Sequence, residues 1–226
     1  MNLVPDTTGM SAGRSRILLV DDHPLVRERL AEIINREKDL VVCGDAEDRH
    51  QALQAIKSSS PDLVIVDITL KSSDGVELIR DIHARWPALL TLVVSMHDES
   101  LYAERALRTG ARGYITKQEA TRNILSAIRR VLSGQIYLSE RIATRILSRL
   151  ATPARASAVS PAELLADREL QVFELTGRGL NTRQIAARLH LGVKTVETYR
   201  ARIREKLDVK DPDDLLSIAI TWAHRQ

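Results

Sequence analysis

Asp62-Leu63-Val64-Ile65-Val66-Asp67 is the stretch on which the reading of this 226-residue chain turns. An unbroken apolar run, mostly β-branched, follows Ser60-Pro61 and stops at a carboxylate. A short run of this kind predicts a strand buried on both faces. Asp67 then sits at the strand's carboxyl end, the edge at which open α/β sheets bind ligands. An acid placed there is costly unless its charge is used.

Outward from this strand the same grammar repeats. Further strands are predicted over 16–20, 40–44, 89–95 and 111–116. Helices are predicted from Pro24, over 51–58, from Asp74-Gly75, over 98–109 and over 119–133. Each carries an apolar stripe, as with Val26, Leu30, Ile33 and Ile34 in the first. This alternation implies a parallel sheet with helices on both faces. The strand ends deliver Asp21, Asp22, Asp67 and Ser95 to one edge, and the fifth leads to Lys117. A single acid at a strand end is commonly a cap or a surface charge, and a single lysine is commonly solvated. The joint pattern is much harder to obtain by chance. Three carboxylates repel at neutral pH, and a hard divalent cation that takes oxygen ligands and keeps water, Mg²⁺, relieves the repulsion. That cation and Lys117 would offset a phosphoryl group on Asp67.

Hydrophobic residues make up 44% of the chain and aromatics 3%, so the core is aliphatic, and the length suits one or two domains. A net charge of +3 and a pI of about 9.2 are compatible with nucleic acid without establishing it. Cys43 is the only cysteine, which excludes an intrachain disulfide and fits a reducing cytoplasm. Within Leu40-Val41-Val42-Cys43 it reads as a packed thiol. No apolar stretch is long enough to span a bilayer. Residues 1–15 lack the apolar core of an export signal, so a cytoplasmic location with no membrane partner is expected.

Residues from about Arg14 to Ser133 resemble a response-regulator receiver domain. The residues that carry the resemblance are Asp21-Asp22, Asp67, Gly75, Ser95, Tyr114 and Lys117. It implies a flavodoxin-like fold with sheet order 2-1-3-4-5. It implies that Asp67 takes a phosphoryl group from a phosphohistidine of a sensor histidine kinase. Asp22, Asp67 and the main-chain carbonyl of Thr69 would hold Mg²⁺, and Asp21 would act through water. Lys117 would pair with the carboxylate and then with the phosphoryl oxygens. Ser95 would move to bond the phosphoryl group and Tyr114 would turn inward after it. Gln118 stands where many receivers carry a cis-proline, and no cis bond is expected there. Thr69 and His97 lie two residues beyond Asp67 and Ser95, where side chains flank the phosphoryl group in this family, so either could set the lifetime of the acyl phosphate.

The second half is helical. Ser139 reads as the cap of a short helix through Leu150. Residues 151–161, rich in Ala, Ser, Pro and Thr, read as a flexible tether. Helices are predicted over 166–177, from the Asn181/Gln184 capping box, over 193–207 and over 213–223. A short turn containing Gly192 joins the second and third, the signature of a helix-turn-helix. This half resembles a LuxR-type DNA-binding domain of the NarL/FixJ class, through Arg168-Glu169, Gly179-Leu180-Asn181, Ile185-Ala186, Leu189, Thr195-Val196, Ile203 and Lys206-Leu207. The resemblance implies four helices, the third in the major groove of promoter DNA and the last pairing two copies as a homodimer. Glu197, Thr198 and Ala201 would face the bases, and none is the Arg or Lys that reads guanine. Lys194, Arg200, Arg202 and Arg204 would meet phosphates, with Thr195 beside them.

The domains expected are therefore a disordered tail (1–13), a receiver (14–133), a linker with a short helix (134–160) and a DNA-binding domain (161–226). The function expected is a phosphorylation-dependent transcriptional regulator, in which phosphorylation alters dimerisation, release of the helix-turn-helix, or both. It is not a metabolic enzyme. A phosphatase with an aspartyl-phosphate intermediate wants a second acid where Thr69 stands. A nucleotide-binding flavodoxin-like protein wants a glycine-rich loop after a strand, and none is present.

Overall fold

In the computed structural model, which describes residues 13–70, 74–96, 99–151, 161–209 and 211–223, strand β1 (Ser15–Val20) lies parallel to β3 (Leu63–Val66) with Val20 opposite Val66. Around this pair stand β2 (Leu40–Ala46), β4 (Leu90–Ser95) and β5 (Gly113–Thr116). The order across the sheet is β2-β1-β3-β4-β5, the one expected. All four residues of β3 are buried. Side chains alternate across the sheet, so the same strands feed two apolar clusters. Leu18, Val20, Val64, Val66 and Val93 point one way, and Ile17, Leu19, Leu63, Ile65 and Leu92 the other.

Helices α1 (Pro24–Asn35) and α5 (Lys117–Leu132) cover one face through Leu30, Ile34, Ile124, Ile128 and Val131. Helices α2 (Arg49–Ser59), α3 (Gly75–Arg85) and α4 (Glu99–Arg108) cover the other through Ile56, Val76, Ile79, Ile82 and Ala106. Caps rather than apolar residues fix where they start. Asp48 accepts from Gln51 N at 2.9 Å, so α2 begins two residues before its apolar stripe. Thr116 accepts from Glu119 N at 3.3 Å, which makes Lys117 the first residue of α5 rather than a loop residue before it. β2 runs on to Ala46, past the expected end at Gly44, because pairing with β1 resumes after a register shift.

Residues 135–138 do not leave the sheet. Tyr137 O accepts from Tyr114 N at 2.9 Å and Tyr137 N donates to Arg112 O at 3.0 Å, so this segment lies along the open edge of β5. Ser139 then caps α6 (Glu140–Ala151) as expected, and its own N–H donates to Glu99 Oε1 at 3.0 Å. The expected tether falls mostly on residues outside those described.

A short α7 (Pro161–Leu164), not foreseen, leads into α8 (Asp167–Gly177), α9 (Thr182–Arg188), α10 (Val193–Lys206) and α11 (Pro212–Ala223). Their core gathers Leu170, Phe173, Ile185, Val196, Ile203 and Leu215. The rings of Phe173 and Trp222 stand 5.4 Å apart at 57°. Residues Asp167–Thr176 of α8 are all buried, although six of the ten are polar. The apolar ones face α10 and α11, and several of the polar ones face the sheet domain. Arg105 of α4 reaches Asp167 Oδ1 at 2.6 Å and Leu165 O at 2.9 Å. Tyr102 donates to Glu174 Oε2 at 3.4 Å, and Arg168 donates to Leu70 O. The two halves are docked through these polar groups and through an apolar patch that joins Leu70 and Tyr102 to Leu165 and Leu170.

Gly75 sets the approach of α3 to the backbone of Asp67. A Cβ there would lie 2.1 Å from Asp67 O and 2.7 Å from Ile68 Cα. Gly75→Ala should therefore destabilise the chain by about 1–3 kcal/mol, the usual cost of overpacking, read from urea unfolding.

Candidate functional site

Asp67 follows β3 directly and is held from two sides. Its N–H donates to Val20 O at 2.8 Å, and its Oδ1 accepts from Thr69 N at 3.1 Å. Asp21, directly after β1, accepts on Oδ1 from His23 N at 2.9 Å. Because Val20 and Val66 are register partners, the two acids emerge side by side. Lys117 closes the set, with Nζ 2.6 Å from Asp21 Oδ2 and 2.8 Å from Asp67 Oδ2. Ser95 ends β4, fully buried and paired in register with Thr116. The edge thus carries a carboxylate with an ammonium beside it, and the Ser95 hydroxyl ends the neighbouring strand.

Burial pushes the Asp67 carboxyl up to about 6; Lys117 pulls it down and Asp21 pushes it up. Burial also works against the Lys117 ammonium, but the charges and hydrogen bonds of Asp67 and Asp21 leave its pKa raised. One ammonium does not neutralise three acids. Ligand atoms of Asp21, Asp22, His23 and Asp67 all lie within 4.8 Å of one another. Asp22 Oδ1 is buried without a hydrogen bond, its 2.7 Å approach to His23 Nδ1 being poorly aligned. A clustered, oxygen-rich donor set with an orphaned acceptor fits Mg²⁺.

Sequence reasoning passed over Arg27. It donates to Asp21 O at 2.6 Å and to Asp45 Oδ2 at 2.7 Å, and so fixes the backbone that carries the acidic pair. Its signal was its place in the first turn after Asp21-Asp22, but an arginine on a helix reads as solvated. Thr69 lines the cavity over Asp67; His97 lies outside the described residues. Tyr114, expected to act as a switch, is fully buried, in one apolar cluster with Tyr102, Leu70, Leu165 and Leu170.

In the second half, Gln184 N donates to Asn181 Oδ1 at 3.0 Å and Asn181 N to Gln184 Oε1 at 2.9 Å, the capping box expected for α9. His190 takes the left-handed conformation (φ 53°) that turns the chain, and Gly192 caps α10 without a side-chain bond. Val196 and Ile203 are buried, while Lys194, Thr195, Glu197, Thr198, Ala201 and Arg202 are exposed. Arg200 and Arg204 are half-buried, and Arg200 donates to Thr182 Oγ1 at 3.0 Å, tying α10 to α9. In α11, Leu215, Ala219 and Trp222 are buried, while Leu216, Ile218 and Ile220 are exposed.

The response regulator receiver domain family matches residues 17–129, and the luxR family of bacterial regulatory proteins matches 163–219. The chain is 31% identical over 209 residues to oxygen regulatory protein NreC of Staphylococcus haemolyticus, covering 91% of this chain and 96% of that protein. It is 34% identical over 204 residues to transcriptional activator protein ExaE of Pseudomonas putida, covering 90% and 95%. Its fold is similar to that of RcsB from Salmonella enterica serovar Typhimurium, solved bound to promoter DNA in the presence of the phosphomimetic BeF3-. That match has a TM-score of 0.59, with 22% identity over 92% of this chain and 98% of that one.

Two outcomes follow from the acidic edge. Arg27→Ala should weaken divalent-cation binding at least tenfold, in line with the loss of a group that orients metal ligands; Mn²⁺ titration by electron paramagnetic resonance reads it. The Asp67 shift fixes a sign for stability. At pH below about 4 both folded and unfolded chains hold the proton. Between about 4 and about 6 only the folded chain does, so stability falls as pH rises. Without metal, Asp67→Asn should accordingly gain on the order of 1–3 kcal/mol at neutral pH, and the gain should vanish near pH 4 in urea unfolding.

Proposed function

The chain belongs to the response regulators that join a receiver domain to a LuxR-type DNA-binding domain, and from that membership we propose that it is switched by phosphorylation of Asp67. The receiver comprises residues 14–133, the linker 134–160 and the DNA-binding domain 161–226 in this reading. The observation that carries it is the Lys117 ammonium bridging Asp21 and Asp67 at the sheet edge, in a chain whose other half holds an exposed helix after a helix-turn-helix bend.

A sensor histidine kinase supplies the phosphoryl group. An Asp67 oxygen forms the new bond to phosphorus as the bond to the kinase's imidazole nitrogen breaks. Asp22, Asp67 and the Thr69 carbonyl, with Asp21 through water, would hold Mg²⁺, which would supply positive charge at the phosphoryl oxygens. Lys117 shifts from the carboxylate to those oxygens, and the Ser95 hydroxyl donates to one of them. Thr69 orients or excludes the water that later hydrolyses the acyl phosphate.

The docked arrangement supports release as the mode of control. The first helix of a helix-turn-helix crosses the DNA backbone, and here the end of α9, Arg188 to His190, lines the same cavity as Asp67. Phosphorylation opens the contact and frees that surface. Two copies then pair through Leu216, Ile218 and Ile220 of α11 on half-sites about one helical turn apart. Lys194, Arg202 and Arg204 meet phosphates; Arg200 reaches one by letting go of Thr182. Glu197, Thr198 and Ala201 read the bases, Glu197 by accepting from a cytosine amine. No described helix is long and apolar enough to cross a membrane, and the reading places the protein in the cytoplasm.

Genomic fragments should bind more tightly after treatment with acetyl phosphate and Mg²⁺, and Asp67→Asn should abolish the gain. Equal stimulation of that variant would sink the reading. Glu197→Ala should relax preference at one base pair by about 1 kcal/mol, measured against a randomised site library.

A further inference from the structure

Between the halves lies a cavity of about 250 Å³. Its floor holds Asp67, Asp22 and Lys117, and its far wall is Leu175 and Arg178 of α8 with Arg188 and Leu189 at the end of α9. Building on the reading of Asp67 as the acceptor, we propose that the docked chain selects its phosphodonor by size. Small phosphoryl compounds reach Asp67 across the cavity, whereas a phosphohistidine borne on a protein reaches it only when the halves part.

Transfer to an Asp67 oxygen requires the donor's leaving group to stand on the far side of phosphorus. That direction leads away from the sheet edge, toward α8 and α9. With phosphoramidate, the new phosphorus–oxygen bond forms as the phosphorus–nitrogen bond breaks, and ammonia departs after taking a proton. With acetyl phosphate, the phosphorus–oxygen bond breaks and acetate departs. Acetyl phosphate has eight non-hydrogen atoms, and even at the ~30 Å³ that one water claims in the liquid these need no more than ~240 Å³. A protein donor carries its imidazole on a backbone. That backbone must come where residues of α8 and of the end of α9 stand over Asp67, so it meets the carboxylate when that wall moves.

Arg188 is exposed at the cavity wall, Arg178 pairs with Glu174 at 2.5 Å, and Lys117 is held by Asp21 and Asp67. The wall is held from outside the cavity by the Arg105–Asp167 pair at 2.6 Å and by Arg168 on Leu70 O. Transfer from a bulky donor is then slowed by the fraction of chains that are open, and loosening the wall removes that factor without touching the acceptor.

The test uses full-length chain, native and carrying Arg105→Gln or Asp167→Asn, with Mg²⁺. Three donors share the same phosphorus–nitrogen chemistry: phosphoramidate, phosphoimidazole, and a helical peptide of about 20 residues bearing one phosphohistidine. Intact mass and peptide mapping read the rate at Asp67. The expected result is a peptide-donor rate raised at least tenfold in both variants, with phosphoramidate changed less than twofold. The unchanged small-donor rate shows that the acceptor site is folded. A peptide rate as low in the variants as in the native chain, or rates that rise equally for all three donors, would overturn size selection. If phosphoramidate leaves Asp67 of the native chain unlabelled, the acceptor reading itself fails and takes this inference with it.

Discussion

Three carboxylates meet one ammonium at the ends of buried strands, and the receiver half is arranged to make that tolerable. The cost is set by burial: Asp67 stands at the mouth of a sheet whose neighbouring residues are apolar, so its charge is poorly solvated. Lys117 offsets part of the cost from 2.8 Å away and is brought there by a helix cap at Thr116. Arg27 holds the backbone of Asp21, and Gly75 lets α3 approach the backbone of Asp67. A site with unspent negative charge and a single ammonium has a donor set that fits a divalent cation. The same features that make it chemically useful lower its stability without one.

The contact between the halves follows a different logic. Asp167, Arg168, Glu169, Gln171 and Glu174 are all buried. A buried ion pair contributes little net stability because desolvation consumes most of the Coulombic gain, although breaking one partner is costly. Pairs of this kind specify one docking geometry more than they add to its strength. Asp74 sits at the same boundary, where burial and the nearby Asp167 push its pKa up to about 6.

The strands and the acidic edge were legible in the sequence because each strand is apolar from end to end and then changes abruptly to acid, hydroxyl or amine. Helix starts were less so. Asp48 and Thr116 fix them by hydrogen bonds that apolar periodicity does not register. The helix-turn-helix was legible from the Asn181/Gln184 box and the glycine turn. What stayed hidden are contacts between segments far apart in the chain. The polar side of α8 reads as a solvated face, yet it faces a second domain. Residues 135–138 read as the start of a linker, yet they pair with β5.

The docking of the two halves is not polar alone. Leu70 and Tyr102 of the first half share one apolar cluster with Leu165 and Leu170 of the second. Buried apolar area stabilises by about 2.5 kcal/mol for every 100 Å², whereas a buried pair such as Arg105–Asp167 has a small net worth but a fixed geometry. The apolar patch therefore holds the halves together, and Arg105, Tyr102 and Arg168 set the angle at which they meet.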